Sequence, residues 1–204
     1  REAVTAIING VIGSRGDGYV VGSTMSVAEA TAYHSLFARA FAEAGAQMIS
    51  AITMTYAEEA IGVARAAAAV ALPAAISFTV ETDGRLPSGQ TLGDAIAQVD
   101  EACHDAPAYY MINCAHPTHF ANQLDHGAPW LARVHGVRAN ASRLSHAELD
   151  EATDLDRGDV DELGALYADL ASIIDLRVVG GCCGTDHEHV ATIASALDRA
   201  VAAR

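Results

Sequence analysis

Six short apolar runs, each followed by a stretch of helical periodicity, limit what this chain can fold into. The runs are residues 6–12, 48–54, 74–80, 109–115, 134–139 and 176–179. The helical patterns fall at 27–44, 57–72, 92–103, 117–127, 160–174 and 187–203. Near-continuous apolar runs of this length predict parallel strands covered on both faces, and no hairpin signal separates them. Ser26 with Glu29 forms a capping box at one helix start, and Asp186 precedes another. A series of βα units leaves two architectures, a doubly wound sheet or a (β/α)8 barrel. No G-x-G-x-x-G fingerprint opens a helix. The segment Gly13-Ser14-Arg15-Gly16-Asp17-Gly18 lacks a following lysine and reads as a long loop. The acidic segment 143–158 reads as a surface loop, and residues 1–204 read as one domain.

Charge and hydropathy remove several function classes. The formal net charge of -14 repels phosphate backbones and anionic membranes, so neither nucleic acid nor membrane is an expected partner. No apolar run approaches the length of a membrane span, and residues 1–9 carry no leader-like pattern. The expectation is a cytoplasmic protein.

The four cysteines are Cys103, Cys114, Cys182 and Cys183, and without a secretion signal they are expected as reduced thiols. Polar residues gather in or just after the apolar runs. Thr53, Ser77, Thr79, Asn113 and Asn140 are candidate substrate contacts there. Carboxyl ends of parallel strands form the active face in both architectures. Cys182 and Cys183 belong at that face. Adjacent residues on a regular strand point to opposite sides, so the pair converges only where the backbone bends, and Gly180, Gly181 and Gly184 permit a bend. Zinc accepts thiolates tetrahedrally, and Cys114 at another strand end is a third candidate. Three protein thiolates would leave one position open, as catalytic sites do. Two other readings stay open. A Cys-Cys pair also serves as core filler. His116, His119, His187 or His189 would complete a mixed site, although His187 and His189 read as surface residues of a helix start.

Asn113-Cys114-Ala115-His116-Pro117 resembles the N-C-x-x-P motif of the homocysteine S-methyltransferase family, and Gly180-Gly181-Cys182-Cys183-Gly184-Thr185 resembles its G-G-C-C-G-T motif. Ile76–Val80 with Asp83-Gly84-Arg85-Leu86 and Gly89 is similar to its central strand and loop. Gly10–Gly13, with Tyr19 and Gly22, resembles its third strand and loop. Asn140 falls where that family often has Pro-Asn-x-Gly, with Ala139 in place of proline. The resemblance spans essentially the whole chain. It implies a (β/α)8 TIM barrel, with zinc held by Cys114, Cys182 and Cys183 and the thiol of homocysteine in the fourth place. The implied reaction is methyl transfer to homocysteine to give methionine, from a small-molecule methyl donor, with no catalytic residue beyond the metal ligands.

Two departures qualify what the resemblance implies. The first run resembles the family's third strand, so the barrel is expected to lack its first two βα units here, which gives the chain a reason to associate as a homo-oligomer. Ile52 stands where the family carries the glutamate that holds the amino group of homocysteine. Glu81 and Asp83 are substitute acids, while Glu58 and Glu59 read as solvated helix residues. The alternatives are the same chemistry on another thiol, or a non-catalytic zinc-binding barrel remnant.

Overall fold

The structure is a computed structural model that describes residues 6–124 and 127–202. Residues 1–5 of the leader reading, 125–126 of the 117–127 pattern and residue 203 of the last pattern lie outside the described residues.

Each apolar run forms a strand: β1 (Asn9–Gly13), β2 (Met48–Met54), β3 (Ala74–Phe78), β4 (Pro107–Asn113), β5 (Val134–Ala139) and β6 (Val178–Gly181). The helices are α1 (Val27–Glu43), α2 (Ala57–Ala69), α3 (Leu92–Cys103), α4 (Pro117–Phe120), α5 (His146–Glu151), α6 (Val160–Ile173) and α7 (His187–Ala202). All neighbouring strands pair in parallel, and their spatial order is the chain order, β1-β2-β3-β4-β5-β6. This order decides between the two architectures. A doubly wound sheet reverses direction at a switch point, which puts helices on both faces. Here every right-handed crossover steps the same way, so the helices share one face. The result is a six-stranded sector of a barrel, with β1 and β6 as its edges among the described residues.

The core lies between sheet and helices. Ile49, Ala51, Ile76, Phe78, Tyr110, Ile112, Val137 and Ala139 point outward into it. Alternate residues face inward, and they are polar or small near the carboxyl ends: Ser50, Ser77, Asn113. The alanine-rich α2 buries Ala57, Ala60, Ala64 and Ala67, whose small side chains let the helix lie close to both α1 and the sheet. The strand β3 is buried throughout, as the run predicts. At β1 the expectation of two covered faces fails: burial alternates, with Ile12 buried and Val11 49% exposed, because no layer covers its inner face among the described residues.

Three other expectations are corrected. Segment 143–158 is not simply a loop, because α5 lies within it, opened by a capping box of Ser145 and Glu148. The 117–127 pattern is not one helix. It is the single turn α4, then a 3₁₀ turn at Ala121–Gln123, and a second 3₁₀ turn follows at Pro129–Arg133. Glu59 is not solvated. It is fully buried against His34, with Oε1 2.9 Å from the imidazole Nε2 and accepting from Arg15 N–H at 2.6 Å. Among the described residues, no helix is long and apolar enough to cross a membrane.

Candidate metal centre

The strand ends bring three sulfurs together. Cys114 follows β4 and Cys182 follows β6, two strands that flank β5. The Sγ atoms of Cys114, Cys182 and Cys183 all lie within 4.8 Å of one another. Three thiolates around one tetrahedral zinc at Zn–S of about 2.3 Å sit about 3.8 Å apart, so the donor type fits zinc, and the sulfurs are close enough to share one ion once none is bonded to another. Cys114 is buried and Cys183 exposed, so the cluster has an inner and an outer side.

Cys114 and Cys182 are joined as a disulfide, a pairing across 68 positions. That corrects the expectation of reduced thiols for these two. Cys103, in α3, and Cys183 are free. The physical reason is the convergence itself: thiols close enough to share a metal are close enough to bond. A metal requires thiolates, so the pair must be reduced before all three sulfurs ligate together.

The local backbone is built for this convergence. Gly181 is required because a Cβ there would lie 2.0 Å from Thr185 Oγ1. Gly184 turns with φ +78°, and a Cβ would meet the Asp156 carbonyl at 2.4 Å. Cys114 adopts a left-handed backbone, φ 54°, which an L-residue holds only when its surroundings impose it. Asn140 supplies part of that constraint. Its Nδ2 donates to the Cys114 carbonyl at 3.1 Å, and its Oδ1 accepts from Cys183 N–H at 3.2 Å. One amide thus ties both halves of the sulfur cluster to the end of β5. His146 Nε2 also donates to the Cys114 carbonyl, at 2.6 Å.

The other candidate contacts form a layer beneath. Asn113 Oδ1 accepts from Ser77 Oγ at 2.6 Å and from Thr53 N–H at 2.9 Å, and its Nδ2 donates to Thr53 Oγ1 at 2.9 Å. Thr79 Oγ1 donates to the Cys114 carbonyl at 3.5 Å. These four residues brace the strand ends from inside. Of the five candidates only Asn140 lines the adjoining cavity of about 530 Å³. Ile52 does not line it.

That cavity has Cys183 in its wall and is roofed by the β1–α1 loop and by α5. Tyr19, from the loop, packs against His146 with the rings tilted by 36° and their centroids 3.9 Å apart, and places its hydroxyl 3.8 Å from Cys183 Sγ. Burial and then the neighbouring Cys183 push the Tyr19 phenol up, so it stays neutral. Sequence reasoning missed the contributions of His146 and of α5; the Ser145-x-x-Glu148 capping signature was the available signal.

Of the four histidines weighed as ligands, His116, His119 and His189 have other partners, and His187 is exposed as expected. His116 is buried and N-caps α4 through Nδ1, and His119 Nε2 bonds the Arg143 carbonyl. His189 is not a surface residue as expected: it is fully buried, bonded to Asp186 and to the Arg157 carbonyl. Burial, with smaller effects of His119 and Arg143, pushes the His116 imidazole down from 6.5 to about 4. Between these values the unfolded chain binds a proton that the folded chain refuses. Its stabilising effect is complete above pH 6.5 and is lost as pH falls toward 4. His116→Asn keeps a capping side chain but does not titrate. Between pH 7.5 and 4.5, wild type is expected to lose about 2 kcal/mol more than this variant in urea unfolding.

Residues 1–197 match the homocysteine S-methyltransferase family. Methionine synthase of Mycobacterium leprae (strain TN) is 30% identical over 129 residues, which is 63% of this chain and 10% of that protein. The fold resembles the homocysteine methyltransferase MmuM from Escherichia coli. Against its apo form the TM-score is 0.65 at 22% identity, covering 94% of this chain and 63% of that one. Against its metallated form it is 0.62 at 21% identity, covering 88% and 55%. Against its oxidized form it is 0.67 at 21% identity, covering 89% and 56%. The chain therefore spans between a tenth and under two thirds of the length of these relatives. With the match running from residue 1 to residue 197 and both cysteine motifs inside it, the chain belongs to the homocysteine S-methyltransferase family.

Proposed function

We propose that this protein is a zinc-dependent thiol methyltransferase that converts homocysteine to methionine. The observation that carries the reading is the convergence of Cys114, Cys182 and Cys183 at the carboxyl ends of two parallel strands, beside a cavity. In the reduced state these three residues would hold zinc. When bound, zinc supplies a Lewis acid that lowers the acceptor thiol's pKa so that its sulfur is nucleophilic at neutral pH.

The chain's own residues act by placement. Asn140 fixes the carbonyl of Cys114 and the amide of Cys183, so the sulfurs keep one arrangement while substrate enters and leaves. Tyr19 and α5 wall the cavity beside Cys183, which is itself exposed on the cluster's outer side. The Asn113 network keeps the floor rigid. In the overall reaction a methyl group leaves an onium donor, whose carbon–heteroatom bond breaks with the electron pair staying on the donor. A carbon–sulfur bond forms on the acceptor, and the thiol proton goes to solvent. Orientation and desolvation are the protein's share of the acceleration.

The test is reduction of the protein, loading with zinc, and measurement of metal content and methionine formation with S-methylmethionine, S-adenosylmethionine and betaine in turn. One zinc per chain with methionine formed from homocysteine is the expected outcome. Zinc binding with no turnover of any thiol would favour a non-catalytic barrel.

A further inference from the structure

The cavity beside the sulfur cluster has a one-sided charge. Among the described residues, six carboxylate side chains and one histidine line it, with no arginine or lysine. Four of these acids, Asp17, Asp150, Glu151 and Asp154, are exposed at the rim, while Glu81 and Asp156 are half-buried. Asp156 has both oxygens engaged, Oδ2 by Ser142 Oγ and Oδ1 by Gly158 N–H. Glu81 differs: only Oε1 has a partner among the described residues, His146 Nδ1 at 3.4 Å. Asp83, the other substitute acid, accepts from Arg85 N–H and does not line the cavity.

His146 connects Glu81 to the sulfur site. Its Nε2 sits on the Cys114 carbonyl, its Nδ1 faces Glu81, and its ring packs at a tilt against Tyr19. Three contacts from three segments fix the imidazole, and the imidazole in turn aims the carboxylate into the cavity. A cationic group arriving there meets a held carboxylate one side chain away from Cys114. In homocysteine a short alkyl chain separates the sulfur from the ammonium, so a sulfur at the cysteine cluster places the ammonium in this part of the cavity.

Resting on the function proposed above, we infer that Glu81, braced by His146, is the residue that receives the ammonium group of the acceptor amino acid and sets the preference for it over a plain alkyl thiol. An ammonium left without an acidic partner in such a site loses its hydration for no return. Ile52, on the inner face of β2 in register with Gly13, lies outside the cavity and takes no part in this contact.

The experiment compares homocysteine with 4-mercaptobutyrate, which keeps the thiol and carboxylate but lacks the ammonium. Reduced, zinc-loaded wild type, Glu81→Gln and Glu81→Asp are assayed with whichever donor supports turnover. For Glu81→Gln the ratio of kcat/KM values for the two acceptors is expected to fall by about 10- to 100-fold, mainly through a higher KM for homocysteine. Glu81→Asp is expected to recover part of that ratio. A ratio within about twofold of wild type, or an equal loss for both acceptors as structural damage would give, overturns the inference while leaving the methyltransferase reading in place. Wild type that methylates neither thiol overturns both.

Discussion

Cys183→Ser is expected to weaken zinc binding by about a thousandfold and to reduce methyl transfer to background. Three-thiolate binding is cooperative in geometry, because each sulfur lies within 4.8 Å of the other two. Structural zinc sites bind with about 10–16 kcal/mol, so loss of one of three protein ligands removes about 3–5 kcal/mol. A serine hydroxyl is a poor replacement for a thiolate toward zinc. The same substitution is instructive for the disulfide, since Cys114 and Cys182 stay able to pair in the variant. Cys103→Ser is the control. Cys103 sits in α3 with its sulfur 3.9 Å from the Ile61 carbonyl, outside the cluster, and burial holds its thiol above the usual range. Metal analysis after reduction and dialysis reads the result. One zinc retained by Cys183→Ser, with activity intact, would remove that residue from the site.

The second large effect is on stability and comes from Glu59→Ala. Neither Glu59 nor His34 reaches solvent, and together they join α2 to α1. Glu59 also accepts from Arg15 N–H in the loop that carries Tyr19 over Cys183. Truncation leaves a buried imidazole and a backbone N–H without their acceptor and opens a cavity. The expected cost is about 3 kcal/mol or more in urea unfolding. Glu59→Gln keeps the shape and one acceptor oxygen, so it should cost clearly less. Equal losses for the two variants would mean that volume, not the acceptor, matters. Because the loop is anchored here, Glu59→Ala should also raise proteolytic cutting between Ser14 and Ser23 under native conditions.

Much of this protein follows from local sequence. Six apolar runs became six strands because strand and helix periods are properties of short segments. The capping box at Ser26 and Glu29 closed as its spacing requires. The two cysteine motifs at strand ends were legible because glycine and a strand terminus are both visible in the chain. What local pattern missed was set by contacts distant in sequence. Glu59 reads as solvated until His34, 25 positions away, is packed onto it. His189 reads as a surface residue until the Arg157 carbonyl, 32 positions away, closes over it. Segment 143–158 reads as a loop until α5 is seen to roof the cavity. Periodicity alone left barrel and doubly wound sheet both open; the resemblance of the cysteine motifs implied the barrel, and the strand order gives a sector of one. Cys114, which the sequence already sets beside the pair, meets Cys182 across 68 positions because β4 and β6 flank β5. Periodicity determines which segments pair their own backbone and bury one face. Which buried face meets which, and therefore which side chains share a site, is decided by long-range packing that no short window of sequence contains.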